Sequence, residues 1–227
     1  MEPNLRYWND QHKILHRLLE KDKDYQKALP IFLSQHAIVH SAKLGAGARW
    51  SFQDQVLSGL TDAQMRYQPT GRPHSVVWMI WHMTRCEDVT MNLLLADSPQ
   101  VLHRKWMSKL GIATENVGNE MSVAESIAIS DAINLKALFA YRLAVAKRTR
   151  QIVQRLKPAQ LWELPKPERL QRILDEGAVG DKAPWLLKYW GGHPGYNLLL
   201  MPATRHCCVH LNEINRIRPK LKKPHAK

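Results

Sequence analysis

The sequence predicts an all-α fold, a bundle of four main helices, and three observations lead there. Apolar residues recur at helical spacing over long stretches, helix-start signals open several of them, and no strand-rich region or internal repeat interrupts the 227 residues. At roughly 100–200 residues per domain, the chain fits one domain with extensions better than two. It divides into an accessory N-terminal helix (1–30), the bundle (31–217) with long inter-helix connections, and a basic tail (218–227).

Residues 5–28 form the first amphipathic pattern, with Leu5, Trp8, His12, Leu15 and Leu19 near helical spacing and Pro30 closing it. From Ile31, the residues Phe32, Ala37, Val39, Leu44, Ala48, Phe52, Val56 and Leu57 supply the buried stripe of a long helix ending near Gly59. Gly45 and Gly47 weaken its middle. Thr61 and Gln64 make a capping box for a short turn that Pro69 and Gly71 stop. Ser75 caps the next helix, whose body from Val76 to Met83 is apolar nearly all round, as a central element requires. Asp97-Ser98-Pro99 end it. Residues 98–121 read as a connection with one or two short helices.

Ser122 and Glu125 make a second capping box, and no proline or glycine follows before Leu156. A helix of that length spans on the order of 50 Å and is expected to bend. Residues 157–201 form the second long connection, carrying Pro158, Pro165, Pro167, Pro184 and the turn Gly191-Gly192-His193-Pro194-Gly195. Pro202 suits the first turn of a final helix running to about Ile217, before Pro219.

Charge and cysteine content limit the function. The net charge of +13 is uneven: residues 1–120 hold 14 Lys/Arg and 12 Asp/Glu, residues 121–227 hold 19 and 8. Such a field attracts small anionic substrates as well as nucleic acid. No zinc-finger spacing, RNP signature or glycine-rich phosphate loop specifies the latter, so nucleic acid is the weaker partner expectation. The tail is expected to be a disordered, solvated end. The polar start and the lack of an apolar run near 18 residues give no signal peptide and no membrane span, and a soluble, cytoplasmic protein is expected. Cys86, Cys207 and Cys208 are too few for a disulfide framework and are expected as reduced thiols.

The candidate chemistry lies in histidine. His206 and His210 are four residues apart on the last helix, so both imidazoles can converge on one divalent ion. His12/His16 and His36/His40 share that spacing. The first pair sits in a polar segment and reads as a solvated or packing pair; the second lies on a core-forming helix and could face the same cavity. Open catalytic sites use about three protein ligands, so a third is needed. His82 interrupts the most apolar helix, where it is either a satisfied core histidine or a ligand arriving from a facing helix.

Gly59-Leu60-Thr61-Asp62-Ala63-Gln64-Met65, then Pro69, then Ser75-Val76-Val77-Trp78-Met79-Ile80-Trp81-His82-Met83, and finally His206-Cys207-Cys208-Val209-His210 come in an order that resembles the DinB-like or YfiT-like proteins. The similarity covers about residues 31–217. It implies a four-helix-bundle metalloenzyme with a metal triad falling on His82, His206 and His210, a divalent ion such as zinc or nickel, and a homodimer. Relatives include thiol-dependent transferases, so a low-molecular-weight thiol is an implied co-substrate. The long N-terminal segment, the extended connection before the last helix and the basic tail depart from the family pattern.

Three neutral imidazoles leave a divalent charge uncompensated, which favours an anionic ligand and allows either hydrolysis or thiol transfer. A noncatalytic metal-binding or interaction bundle is the alternative. Glu213 lies three residues after His210 and is the candidate to orient an imidazole or accept a proton; a capping or surface glutamate is its plain alternative. Cys86 and Cys207 fit small buried hydrophobes better than ligands. Trp78 and Met79 share the His82 face and wall either a pocket or the core. Arg85 is an anion receptor or an exposed bystander, and His193 a cap over the entrance or a loop residue.

Overall fold

The computed structural model describes residues 3–44, 50–72, 74–180 and 182–221, and every regular element among them is helical. In chain order these are α1 (Pro3–Glu20), α2 (Tyr25–Val39), α3 (Phe52–Leu57), α4 (Asp62–Arg66), α5 (Val76–Val89), α6 (Arg104–Leu110), α7 (Val123–Ala132), α8 (Leu135–Arg155), α9 (Pro167–Asp175), α10 (Pro184–Gly191), α11 (Tyr196–Leu200) and α12 (His206–Leu221). The long helices α8 and α12 each pack against both α2 and α5, giving the expected four-helix bundle. α1 packs against α2 and α11 and buries Trp8, Leu15 and Leu19.

α5 is the axis of the molecule. Every residue from Ser75 to Leu95 is buried, including the π-helical turn Thr90–Leu95 that extends α5. Burying its Trp81, Met83 or Leu93 contributes about 1.5–3 kcal/mol each, and the polar residues in the run survive there by finding partners. Ser75 caps the helix through the Trp78 N–H and also meets the Ser130 hydroxyl at 2.8 Å, which ties the start of α5 to α7. The Thr61 and Ser122 capping boxes form as their spacing predicts.

Three proline and asparagine positions depart from the expected boundaries. Pro30 does not end the first helix. α1 stops at Glu20, Asp24 caps α2 through the Lys27 N–H, and Pro30 lies inside α2. The uninterrupted run from Ser122 breaks rather than bends: Asn134 accepts from the Ala137 N–H to start α8, while the Arg66 guanidinium gathers the carbonyls of Ser130, Asp131 and Ile133 at the end of α7. Pro202 does not open the last helix either. It sits in a π-helical turn, Met201–Arg205, that joins α11 to α12, where the Thr204 hydroxyl bonds the Leu199 and Leu200 carbonyls at 2.7 and 2.9 Å.

The connection 157–201 is mostly helical. Pro167 and Pro184 stand at the first positions of α9 and α10, where the missing N–H has no intrahelical role. Leu161, Ile173, Leu186 and Trp190 are buried with Leu93, Leu94 and Leu95 of the π-helical end of α5 in a second apolar cluster. α12 continues past Ile217 to Leu221, with Arg218 donating to the Gln55 and Ser58 carbonyls. Gly45, Gly47, Ala48 and the remainder of the basic tail, residues 222–227, lie outside the described residues.

Candidate metal centre

His82 projects from the middle of α5, and His206 and His210 project from the first turns of α12. A π-helical turn carries an extra residue, which rotates the helix beyond it by roughly 100° about its axis. The turn at Met201–Arg205 therefore sets which face of α12 carries the two histidines. His206 Nε2 lies 3.1 Å from His82 Nε2 and 3.1 Å from His210 Nε2, so one imidazole stands between two others.

The outer nitrogens fix the tautomers of the flanking pair. His82 Nδ1 donates to the Val117 carbonyl at 2.7 Å, and His210 Nδ1 donates to Glu213 Oε2 at 2.7 Å. Both rings thus turn an Nε2 lone pair toward His206. One His206 N–H can satisfy only one of them, and its own Nδ1 is buried without a partner. Protonation does not resolve the conflict cheaply. Burial first, then the field of His210, pushes His82 down to about 3, and burial with the fields of His82 and His210 holds His206 well below the usual imidazole value. The three nitrogens have the spacing and chemistry of a group that could hold a metal ion.

The centre opens into a cavity of about 600 Å³. Trp78, Met79, Met121 and Ile217 give it apolar walls; Arg72, His74, Glu213 and Arg216 give it a polar rim. Trp78 stacks on His82 with centroids 4.7 Å apart, and His74 stacks on Trp78 at 3.5 Å. Burial pushes His74 down to about 4, so near neutral pH it stands in the wall as a neutral acceptor. The hydrogen bond from His210 holds Glu213 below the ordinary carboxylate value.

A second family of expected residues goes elsewhere. His36 and His40 do not face this cavity: their Nε2 atoms donate to the two oxygens of Glu87 at 2.8 and 2.7 Å, and the Thr149 hydroxyl donates to Glu87 at 2.7 Å. All are buried. Burial alone would raise Glu87, yet the two imidazoles outweigh it and hold the carboxyl well below its usual value. These hydrogen bonds satisfy the carboxylate, whereas the Nδ1 atoms of His36 and His40 are buried without a partner, and the ligand atoms of the cluster are also close enough to hold an ion. Arg142, buried nearby, reaches Gln53, Thr84 and the Val39 carbonyl.

Arg85 is neither an anion receptor nor exposed. It is fully buried, bonded to Asp88, Tyr141, Gln100 and the Glu115 carbonyl. Cys86 and Cys207 are buried thiols raised by that burial, as small hydrophobes would be, although Cys86 Sγ comes within 3.8 Å of His82 Nδ1. His193 bonds the Tyr189 carbonyl on the surface and does not line the cavity. His12 stacks on Trp8 and His16 pairs with Glu20 at 3.3 Å, so that pair does not converge. Sequence reasoning missed Arg72, His74, Asn119 and Arg216 at the cavity, and Glu87, Asp88, Arg142 and Thr149 in the core. Glu87 and Asp88 had a signal, since they are adjacent acids in the most apolar helix.

A sequence model described as the DinB superfamily matches residues 48–201, about two-thirds of the chain. The chain belongs to the DinB superfamily. No curated protein matches it. The span matched to the DinB superfamily contains His82 but ends before His206 and His210, so their place beside His82 rests on the geometry of α12. Among the described residues of this DinB-superfamily chain, no helix is long and apolar enough to cross a membrane.

Burial also predicts acid sensitivity from histidines outside the centre. His40 is pushed down to about 3 by burial, against the opposing charge of Glu87, and His12 to about 4 by burial and then Arg205. Below pH 6.5 the unfolded chain binds protons at these positions that the folded chain does not, so stability is full above pH 6.5 and falls as the pH drops toward 4. For His12 the cost is expected to be about 2 kcal/mol by pH 5, and His40 acts in the same direction. Urea midpoints at pH 7.5 and 5 measure this, and a His12→Gln variant with an unchanged slope would show that His12 does not contribute.

Proposed function

We propose that the protein is a divalent-metal-dependent enzyme in which His82, His206 and His210 hold the ion, zinc or nickel, and Glu213 orients His210. The observation that carries this reading is the convergence of three Nε2 atoms, two with lone pairs fixed toward the third by outer hydrogen bonds. When bound, the ion supplies a Lewis acid able to lower the pKa of water or of a small thiol, the chemistry of a hydrolase or a thiol-dependent transferase. The chain's own residues do the rest. The Val117 carbonyl and Glu213 hold two imidazoles in their ligating tautomer, Trp78 packs one face of His82 and limits water there, and Arg72 and Arg216 attract an anionic substrate. A cytoplasmic homodimer belongs to the same reading.

The open cavity favours catalysis over a closed structural ion, because a structural site fills its coordination with protein groups. Cobalt(II)-loaded protein is expected to change its visible spectrum on addition of azide or 2-mercaptoethanol. An occupied centre whose spectrum does not respond to either would assign the ion a structural role.

A further inference from the structure

The three-histidine centre lies between two cavities of opposite character. The larger, about 600 Å³, carries Arg72 and Arg216; the smaller, about 270 Å³, is walled by Trp185, Leu186, Trp190, Met201 and Pro202. His82, His206 and Asn119 line both. A ligand that reaches into both halves must therefore pass the imidazoles that divide them.

The two halves call for different chemistry. Arg72 and Arg216 are exposed, neither is in an ion pair within 4 Å among the described residues, and the carboxylate lining that cavity, Glu213, is engaged by His210. The larger half therefore carries an excess of positive charge. In the smaller half Trp185 is 56 % exposed beside the buried Leu186 and Trp190, so a flat apolar surface is left wet in a concave wall. Covering an indole of this kind removes apolar area from water at about 25 cal/mol per Å², and aromatic rings gain further from stacking.

We infer that the substrate is an amphipathic anion, with its anionic group toward Arg72 and Arg216, an aromatic or similarly flat apolar group against Trp185 and Trp190, and the reacting bond between them at the three histidines. This rests on the metal-dependent reading above and assigns that centre a substrate class. The apolar half is built by α10 and the turn before α12, within the extended connection.

The test uses N-(2-naphthoyl)glutamate as a two-part probe, with glutarate and 2-naphthamide as its halves, titrated into the full chain with and without zinc. The joined probe is expected to bind at least about tenfold tighter than either half. Trp185→Ala should weaken the joined probe and 2-naphthamide at least fivefold (roughly 1 kcal/mol) and leave glutarate unchanged. Arg72→Gln with Arg216→Gln should do the reverse. Equal binding of the joined probe and its better half, or a Trp185→Ala variant that binds all three as wild type does, overturns the assignment. If Trp185→Ala alters only the oligomeric state, the apolar half belongs to a second copy and the assignment also fails. Zinc content of the same samples separates the two readings. Absence of zinc with the probe pattern intact sinks the metal centre alone, and one zinc per chain without the pattern sinks the substrate class alone.

Discussion

Protein prepared without an affinity tag in metal-replete buffer is expected to hold one divalent ion per chain, and His206→Ala to hold none above background. His206 is the residue to remove because its Nε2 lies 3.1 Å from both other Nε2 atoms, so its loss opens the group at the centre. His82→Ala should have the same effect from the opposite helix. Glu213→Gln acts one step out: it keeps three imidazoles but weakens the hold on the His210 tautomer, and a loss of roughly 10–100-fold in metal affinity is expected. Elemental analysis after dialysis, with subsequent competition by a chelator, reads both effects. Retention of wild-type metal content in His206→Ala and His82→Ala would sink the assignment. A stoichiometry of two would place an ion at His36, His40 and Glu87 as well, where the carboxylate is now satisfied by three hydrogen bonds.

Asp88→Ala is expected to destabilise the fold by about 3–5 kcal/mol, a large part of the roughly 5–15 kcal/mol that holds a domain folded. Asp88 accepts from Arg85 Nη1 at 3.0 Å, the Tyr141 hydroxyl at 2.5 Å, Asn92 Nδ2 at 2.8 Å and the Val101 and Leu102 N–H groups at 2.8 and 2.9 Å. Both members of the Arg85–Asp88 pair are fully buried, so the truncation leaves a guanidinium charge without its carboxylate in a site closed to water. It also frees the two N–H groups that turn the chain after α5. Urea unfolding monitored by helical circular dichroism measures the loss. A cost below about 1 kcal/mol would mean that the pair is not an anchor. Arg85→Met combined with Asp88→Leu should recover part of the loss, since neither charge then remains buried, but not all, because Tyr141, Val101 and Leu102 still lack an acceptor.

These predictions separate two kinds of buried polar group in α5. His82 turns one nitrogen to a carbonyl and leaves the other facing a cavity, whereas Arg85, Glu87 and Asp88 are closed off by partners within the protein. Both kinds occupy an apolar helix in the sequence, and composition alone does not distinguish them. The difference lies in what other helices deliver: Val117 and His206 to His82, Tyr141 to Asp88, and His36, His40 and Thr149 to Glu87.

The helical class, the central place of α5, three helix starts and the placement of His206 and His210 as neighbours on one face can all be read from the chain before any packing is known. These are local properties: the period of apolar residues, the reach of a serine or threonine to an N–H three residues on, and the i,i+4 geometry of a helix. The family resemblance points to His206 and His210, and it is helix packing that brings them beside His82: the π-helical turn before α12 sets their face, while α2 carries His36 and His40 to Glu87. Tertiary structure also decided that Pro30 and Pro202 lie within helices, that Arg85 is an internal anchor, and that Arg72, Arg216 and Trp185 meet around one centre. Contacts between residues far apart in the chain depend on how helices pack, and no short window of sequence encodes that packing.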